Sequence, residues 1–202
     1  MRALRYELQG SAGRPTMRML VPGGWRAVTV DDEGLAELRG QLRTQVRRAG
    51  RPDVDAFLSS SLVKWMTELR ERGGRFAVLP LDPPEGTAFP MSFTVSIVDD
   101  EPGRTIEAWV TAKIREGDTE FLDDRRSVLA WRTSAPGEGQ MTGTISDQYF
   151  YVVPVPGSQR KSAAMLHGTH LLDAAADSDD PRREAARVLF DSMALSLDWP
   201  PA

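Results

Sequence analysis

The sequence has 202 residues, of which 41% are hydrophobic and 27% are charged, a composition typical of a soluble globular domain with a well-formed core. It contains no cysteine, which excludes disulfide bonds and zinc sites built from thiolates. The formal net charge is −4 and no dense basic block is present, so nucleic acid is not the expected partner.

Two features of the sequence bear on the cellular location of the protein. No apolar run approaches the roughly 18 residues of a membrane span, and the first residues lack the continuous hydrophobic core of a signal peptide. We therefore expect a cytoplasmic protein. Asparagine is absent and lysine is rare beside arginine, a bias that indicates a GC-rich bacterial genome.

The first part of the chain predicts short strands followed by two helices. A Pro-Gly-Gly-Trp turn at 22–25 leads into the third strand, and Asp31 or Asp32 is a suitable N-cap for the first helix. Gly50 and Gly73 end the two helical patterns. The predicted elements are strands through Leu8 and over Met17–Val21 and Arg26–Val30, then helices with apolar stripes over Leu35–Ala49 and Leu58–Leu69.

The rest of the chain is mostly extended. Alternation of apolar and polar residues predicts a half-buried strand over Met91–Ile97, and Asp180-Pro181 begins the last helix. The other predicted elements are strands over Phe76–Leu81, Glu120–Leu122, Ser127–Thr133, Thr144–Val155 and Ser162–Leu172, and a helix over Ile106–Ile114 that ends near Gly117.

This order of elements predicts the fold class. Several neighbouring strands are joined by short turns, as in antiparallel hairpins. The order therefore favours an α+β fold, with a mainly antiparallel sheet sandwiched between helices, over a doubly wound parallel sheet. No internal repeat or long linker divides the chain, so we expect residues 1–202 to form a single domain.

The chain resembles the Mog1/PsbP-like α/β/α sandwich as it occurs in small actinobacterial proteins. The resemblance lies in the turn at 22–25, the paired helices, the strand Tyr149–Pro156 and the closing helix around Leu189–Trp199. It implies an adaptor, a secretion chaperone or an accessory subunit rather than a catalyst, and it supplies no catalytic residue and no cofactor.

The two histidines of the sequence are the first candidates for acid–base catalysis. His167 and His170 lie in the predicted strand Ser162–Leu172, where an offset of three sends them to opposite faces of the sheet. They cannot easily share a metal ion, and no ligand set or nucleophile motif surrounds them. We predict no catalytic residue, no metal and no cofactor, while an enzyme that uses one histidine with an acidic partner is a third possibility.

Arg39, Arg43 and Arg47 form one stripe along the first helix, because residues four apart share a face. Such a stripe could bind an acidic partner, a phosphate or the acidic second half of this chain. It could also be an ordinary solvated face. We list these arginines as candidate partner-binding residues.

The strand around Tyr149 and Tyr151 carries large apolar residues on both faces. Both a central strand between two helical layers and a strand that lines a groove would have this pattern. Our leading prediction is a non-enzymatic cytoplasmic adaptor or secretion-type chaperone that binds another protein. The alternative is a domain that binds a small molecule or lipid between sheet and helices, with Tyr149, Tyr151, Met165 and His167 on one face.

Overall fold

The computed structural model describes residues 4–8, 16–48, 50, 53, 55–82, 90–137 and 141–200, the first range as backbone alone. Within these residues lie nine strands and four helices. They are β1 (Leu4–Leu8), β2 (Met17–Val21), β3 (Trp25–Thr29), α1 (Asp32–Arg48), α2 (Asp55–Glu71), β4 (Gly74–Pro80), β5 (Met91–Asp99), α3 (Ile106–Arg115), β6 (Thr119–Phe121), β7 (Leu129–Pro136), β8 (Thr144–Pro154), β9 (Ser162–Asp173) and α4 (Pro181–Leu195).

Seven strands form one sheet in the order β3-β4-β5-β9-β8-β7-β6, and each neighbouring pair is antiparallel. The long hairpin of β8 and β9 lies at its centre, with β5 on one side and β7 on the other. β1 and β2 form a separate antiparallel hairpin. The predicted antiparallel α+β fold is confirmed.

Helices α1, α2 and α3 cover one face of the sheet in two separate places. The α1–α2 pair packs on β3 and β4 through a cluster that includes Val28, Leu38 and Met66. Helix α3 packs farther along the same face, where Trp109 meets Trp131 with their ring centroids 5.7 Å apart. The two clusters are distinct, so this helical layer is divided.

The opposite face carries α4 and β2. Phe190 of α4 is fully buried and stacks on Phe93 of the sheet with a centroid distance of 5.6 Å. Met19 of β2 is also fully buried and belongs to the same hydrophobic cluster as Phe190 and Phe93. The Leu20 amide donates a hydrogen bond to the Ser196 hydroxyl at 2.9 Å. Burial on both faces gives the three-layer sandwich its main source of stability.

The predicted element order is confirmed, with small differences at the ends. β7 begins at Leu129 rather than at Ser127, because the amides of Ser127 and Val128 donate to the Asp123 carboxylate instead of to a neighbouring strand. β3 begins at Trp25, which pairs with Pro80. Within the described residues, no helix has the length and apolar character needed to cross a membrane.

Candidate functional site

The four residues predicted to line one cavity lie on two faces of the sheet, so this prediction of a shared face is wrong. Tyr149 lies opposite Gly168 in the register of β8 and β9, and Phe150 lies opposite His167. Directly opposed residues share a face, and successive residues alternate between faces. Tyr149 and Tyr151 therefore face α4, while Met165 and His167 face the α3 side.

The two tyrosines are packing residues beneath α4. The Tyr151 hydroxyl donates to Asp191 Oδ1 at 2.8 Å, and the Tyr149 hydroxyl donates to the Arg183 carbonyl at 3.3 Å. Burial is the main reason that the pKa of Tyr149 rises to about 12, and it also raises the pKa of Tyr151. Both phenols are therefore neutral and serve to join the sheet to α4.

On the other face, His167 is part of a row of stacked rings. Its ring lies 4.5 Å from that of Phe150, which in turn lies 5.1 Å from that of Trp131. Met165 packs against the same cluster. Burial lowers the pKa of His167, with a smaller contribution from the charge of Arg72. A neutral, stacked imidazole is a packing group.

His170 lies on the α4 face, so the prediction that the two histidines take opposite faces is confirmed. It is fully buried, and burial lowers its pKa. Neither of its ring nitrogens has a hydrogen-bond partner among the described residues, and the same is true of His167 Nε2. Groups of three or more residues able to hold a metal ion do not occur in the described part of the chain.

The predicted arginine stripe lies along α1 but is not uniform. Arg39 is half-buried and its Nε has no hydrogen-bond partner among the described residues. Arg43 Nε lies 3.9 Å from Asp55 Oδ2, so it joins α1 to α2, and Arg47 is exposed. The role of the stripe as a partner surface stays a prediction.

An open cleft of about 460 Å³ lies where β7 and β8 meet α4. It holds three arginines, and each already contacts carboxylates. Arg183 Nη1 donates to both carboxylate oxygens of Asp147, at 2.5 and 2.6 Å, and Arg132 Nη2 lies 2.5 Å from Glu120 Oε1. Arg187 contacts Glu184 and Asp191. This network ties the sheet to α4 and offers a ligand no unpaired guanidinium.

A second opening, which we call the α3 groove, differs in character. It lies between α3 and the ends of β6, β7, β8 and β9, and its volume is about 340 Å³. None of the ten residues of α3 is fully buried, so the helix packs only partly against the sheet. Its apolar lining consists of Ile106, Val110, Ile114, Phe121, Leu129, Val152, Pro154 and Ala163.

Two of these residues expose large apolar side chains. Ile114 and Phe121 are each 41% exposed. The ionisable residues that line the groove are Glu107, Arg126 and Arg160. An apolar floor with charged residues at its rim is the usual composition of a surface that binds another molecule.

The two arginines of the rim have an unusual backbone. Arg126 has φ of 52° and Arg160 has φ of 65°, in the left-handed region that favours glycine. Gln159 is the third non-glycine residue with positive φ in the described part of the chain. A left-handed conformation costs an ordinary residue about 1–2 kcal/mol. Two of three such residues therefore lie at one groove.

The turn that carries Arg126 is built by one carboxylate. Asp123 accepts hydrogen bonds from the Ser127 hydroxyl at 2.6 Å and from the Ser127 amide at 2.8 Å. These bonds lower the pKa of Asp123, the hydroxyl contributing most. The charged carboxylate thus fixes the turn, and the guanidinium of Arg126 lies 5.8 Å from the ring centroid of Phe121.

Sequence reasoning placed Ile114 in a helix stripe but did not single out the groove. The available signal was an apolar stripe on α3 that continues to Ile114, followed within a short distance by Phe121. The positive φ of Arg126 and Arg160 has no signal in the residue types, since arginine rarely adopts it.

The fold class follows from this geometry: the chain is an α+β sandwich with an antiparallel seven-stranded sheet between helical layers. No protein-family model and no curated protein matches the sequence. Solved structures do match. A structure of a point mutant of the protein Mog1 has a TM-score of 0.53 and 10% sequence identity, covering 98% of this chain and 96% of that chain.

A second match is the structure of the Saccharomyces cerevisiae Ran-binding protein Mog1p, with a TM-score of 0.46, 10% identity and the same coverage. The first of these likenesses shows that the chain has the Mog1-like fold, as the resemblance in the sequence implied.

Proposed function

We propose that this protein is a non-enzymatic adaptor that binds a segment of another protein in the α3 groove. The observation that carries the proposal is the open apolar groove beside α3, in which Ile114 and Phe121 are each 41% exposed. Removing such surface from water is the main favourable contribution to most protein association.

Two further observations support a binding role over catalysis. Neither histidine has a carboxylate hydrogen-bonded to its ring among the described residues, and both have lowered pKa values caused mainly by burial. A general base needs such a positioned partner and access to substrate. The fold shared with Mog1 assigns no partner to this chain.

The arginine stripe of α1 is a second proposed partner surface. Arg47 is exposed, whereas Arg43 is partly engaged by Asp55. We rank it below the α3 groove because exposed charges by themselves contribute little to affinity.

The experiment is site-specific photocrosslinking in the native host. p-Benzoylphenylalanine replaces Phe121 in the full chain, and in a matched strain it replaces Phe57, which is 48% exposed on α2 and lies outside the lining of the groove. We expect a covalent adduct with a specific protein at position 121 and not at position 57.

A second pair of variants checks that the apolar floor causes the binding. Ile114→Asp is expected to abolish the adduct, whereas Val188→Asp on α4, where Val188 is 50% exposed, is expected to leave it unchanged. Replacing Arg39, Arg43 and Arg47 by Glu tests the α1 stripe in the same assay. Equal adducts at 121 and 57, or an adduct that survives Ile114→Asp, would show that the groove is not the binding site.

A further inference from the structure

We infer that the segment bound in the α3 groove carries acidic side chains beside apolar ones, and that Arg126 and Arg160 bind its carboxylates. The inference rests on the proposed function and adds the chemistry of the partner. It follows from the charge of the rim, the composition of the floor and the backbone of the two arginines.

Arg126 has a free charge at the groove. Its guanidinium forms no salt bridge among the described residues, and its side chain lies over Phe121. A guanidinium held over an aromatic ring keeps its planar donors available for a carboxylate. Arg126 therefore offers charge-assisted hydrogen bonds to a ligand on the apolar floor.

Arg160 supplies a second positive charge. Its Nη1 lies 3.6 Å from Glu107 Oε1, with the two side chains 79% and 69% exposed. An ion pair this exposed is weak, and a carboxylate of a partner can replace or extend it. With Glu107 included, the ionisable lining has a net charge of +1.

Both arginines lie in tight turns: the Lys161 amide donates to the Ser158 carbonyl around Arg160, and the Arg126 amide donates to the Asp123 carbonyl. Glycine would relieve the positive φ at both positions, yet both carry arginine. Unfavourable backbone conformations are concentrated at binding and active sites. Arginine at these two turn positions places a positive charge at the rim that glycine would not supply.

The floor determines what the rest of the ligand must be. The groove is lined by apolar side chains from α3 and from four strands, so a segment bound there buries apolar side chains between its acidic ones. Free phosphate or a purely acidic peptide would leave the side chains of Ile114 and Phe121 exposed to water. An acidic and apolar segment of a protein satisfies both the floor and the rim.

The experiment selects ligands from a displayed library of random peptides of about 12 residues, with the full-length protein as bait and the Ile114→Asp variant for counter-selection. We expect the selected peptides to combine Asp or Glu with Leu, Ile, Val or Phe. Their affinity is expected to decrease when the NaCl concentration is raised from about 0.05 M to about 0.5 M, because salt screens the exposed charges of the rim.

Glycine variants separate binding from folding. Arg126→Gly with Arg160→Gly is expected to bind the selected acidic peptides about tenfold more weakly while melting at the same or a higher temperature. Gln159→Gly is the matched control, since Gln159 has φ of 55° but does not line the groove. It is expected to gain stability without any change in peptide binding.

The outcomes distinguish this inference from the proposed function. The inference would be overturned if the selected peptides showed no preference for acidic residues, or if the double glycine variant bound acidic peptides as tightly as the wild type. It would also be overturned if no selected peptide depended on Ile114 for binding. The crosslink at position 121 would still report on the adaptor role. A dimer that Ile114→Asp dissociates would also overturn it, since a second copy would then occupy the groove.

Discussion

Gly168 leaves room for the ring of Phe190 to lie on the sheet. A Cβ atom added at Gly168 would lie 2.8 Å from Cγ and Cδ2 of Phe190. On either side in the sheet, Phe93 and Tyr149 pair with Gly168, and their rings pack against Phe190 at 5.6 and 5.1 Å. The absent side chain thus lets Phe190 lie directly on the sheet.

We expect Gly168→Ala to lower the free energy of unfolding by about 1–3 kcal/mol, because the added methyl overpacks a rigid core. Urea unfolding monitored by circular dichroism measures it. Gly40→Ala is the matched control: an added Cβ there meets nothing within 4 Å and lies in α1. It should stabilise the protein by up to about 1 kcal/mol. Equal effects of the two substitutions would contradict this packing explanation.

The stability of helix α3 depends on the hydrogen bonds that cap its N-terminus. Since none of its residues is fully buried, burial contributes less to it than to α4. The Thr105 hydroxyl accepts a hydrogen bond from the Ala108 amide at 3.2 Å, and Asp100 Oδ1 accepts one from the Ile106 amide at 2.8 Å. These caps satisfy amides that have no partner within the helix.

We expect Thr105→Ala to weaken α3 by about 1 kcal/mol, which corresponds to roughly fivefold faster hydrogen exchange of its amides. Thr105→Asp retains a capping oxygen and should exchange like the wild type. Thr111→Ala changes the same residue type at an exposed position within α3, where alanine is the better helix former. Faster exchange in Thr111→Ala than in Thr105→Ala would refute the capping role.

The turn before β7 makes a separate prediction. Asp123→Ala should speed hydrogen exchange at the amides of Ser127 and Val128, because the carboxylate that accepts from both is removed. Asp124→Ala should not. The pKa of Asp123 is lowered from 3.8, so the stability that its carboxylate contributes is complete above pH 3.8 and is lost as the pH falls through the lowered pKa. Unchanged protection in Asp123→Ala would show that the turn forms without this carboxylate.

For the whole molecule, buried histidine links folding to pH. His170 lies inside the sandwich at 0% exposure, near Asp147, Arg182 and Arg183. Burial is the main reason that its pKa is lowered from 6.5. Below that value the unfolded chain takes up a proton that the folded chain does not, so stability falls as the pH drops from 6.5 toward the lowered pKa.

When the pH is lowered from about 7.5 to about 5.5, we expect the free energy of unfolding to decrease less in His170→Leu than in the wild type. The difference between the two proteins is at most about 1.4 kcal/mol for each pH unit. Urea unfolding at the two pH values measures the difference. His167→Leu should act in the same direction, since burial also lowers its pKa. If both variants keep the pH dependence of the wild type, the histidines do not cause it.

The sequence by itself determined the elements. Alternation over Met91–Ile97 and helical spacing over Leu58–Leu69 each reflect which side of a local element is buried, and such patterns depend only on near neighbours. The same reasoning correctly placed His167 and His170 on opposite faces, because that depends on one strand alone. Short turns between strands then favoured antiparallel pairing.

Only the tertiary structure decided which residues meet. Tyr151 lies opposite Leu166 rather than Met165, and this register sends Met165 and His167 to the face away from Tyr151. Register between two strands depends on packing across the whole sandwich, so residue spacing within either strand does not determine it. The α3 groove likewise unites Phe121, Arg126 and Arg160 from separate turns and strands, and their proximity arises only when the sheet assembles.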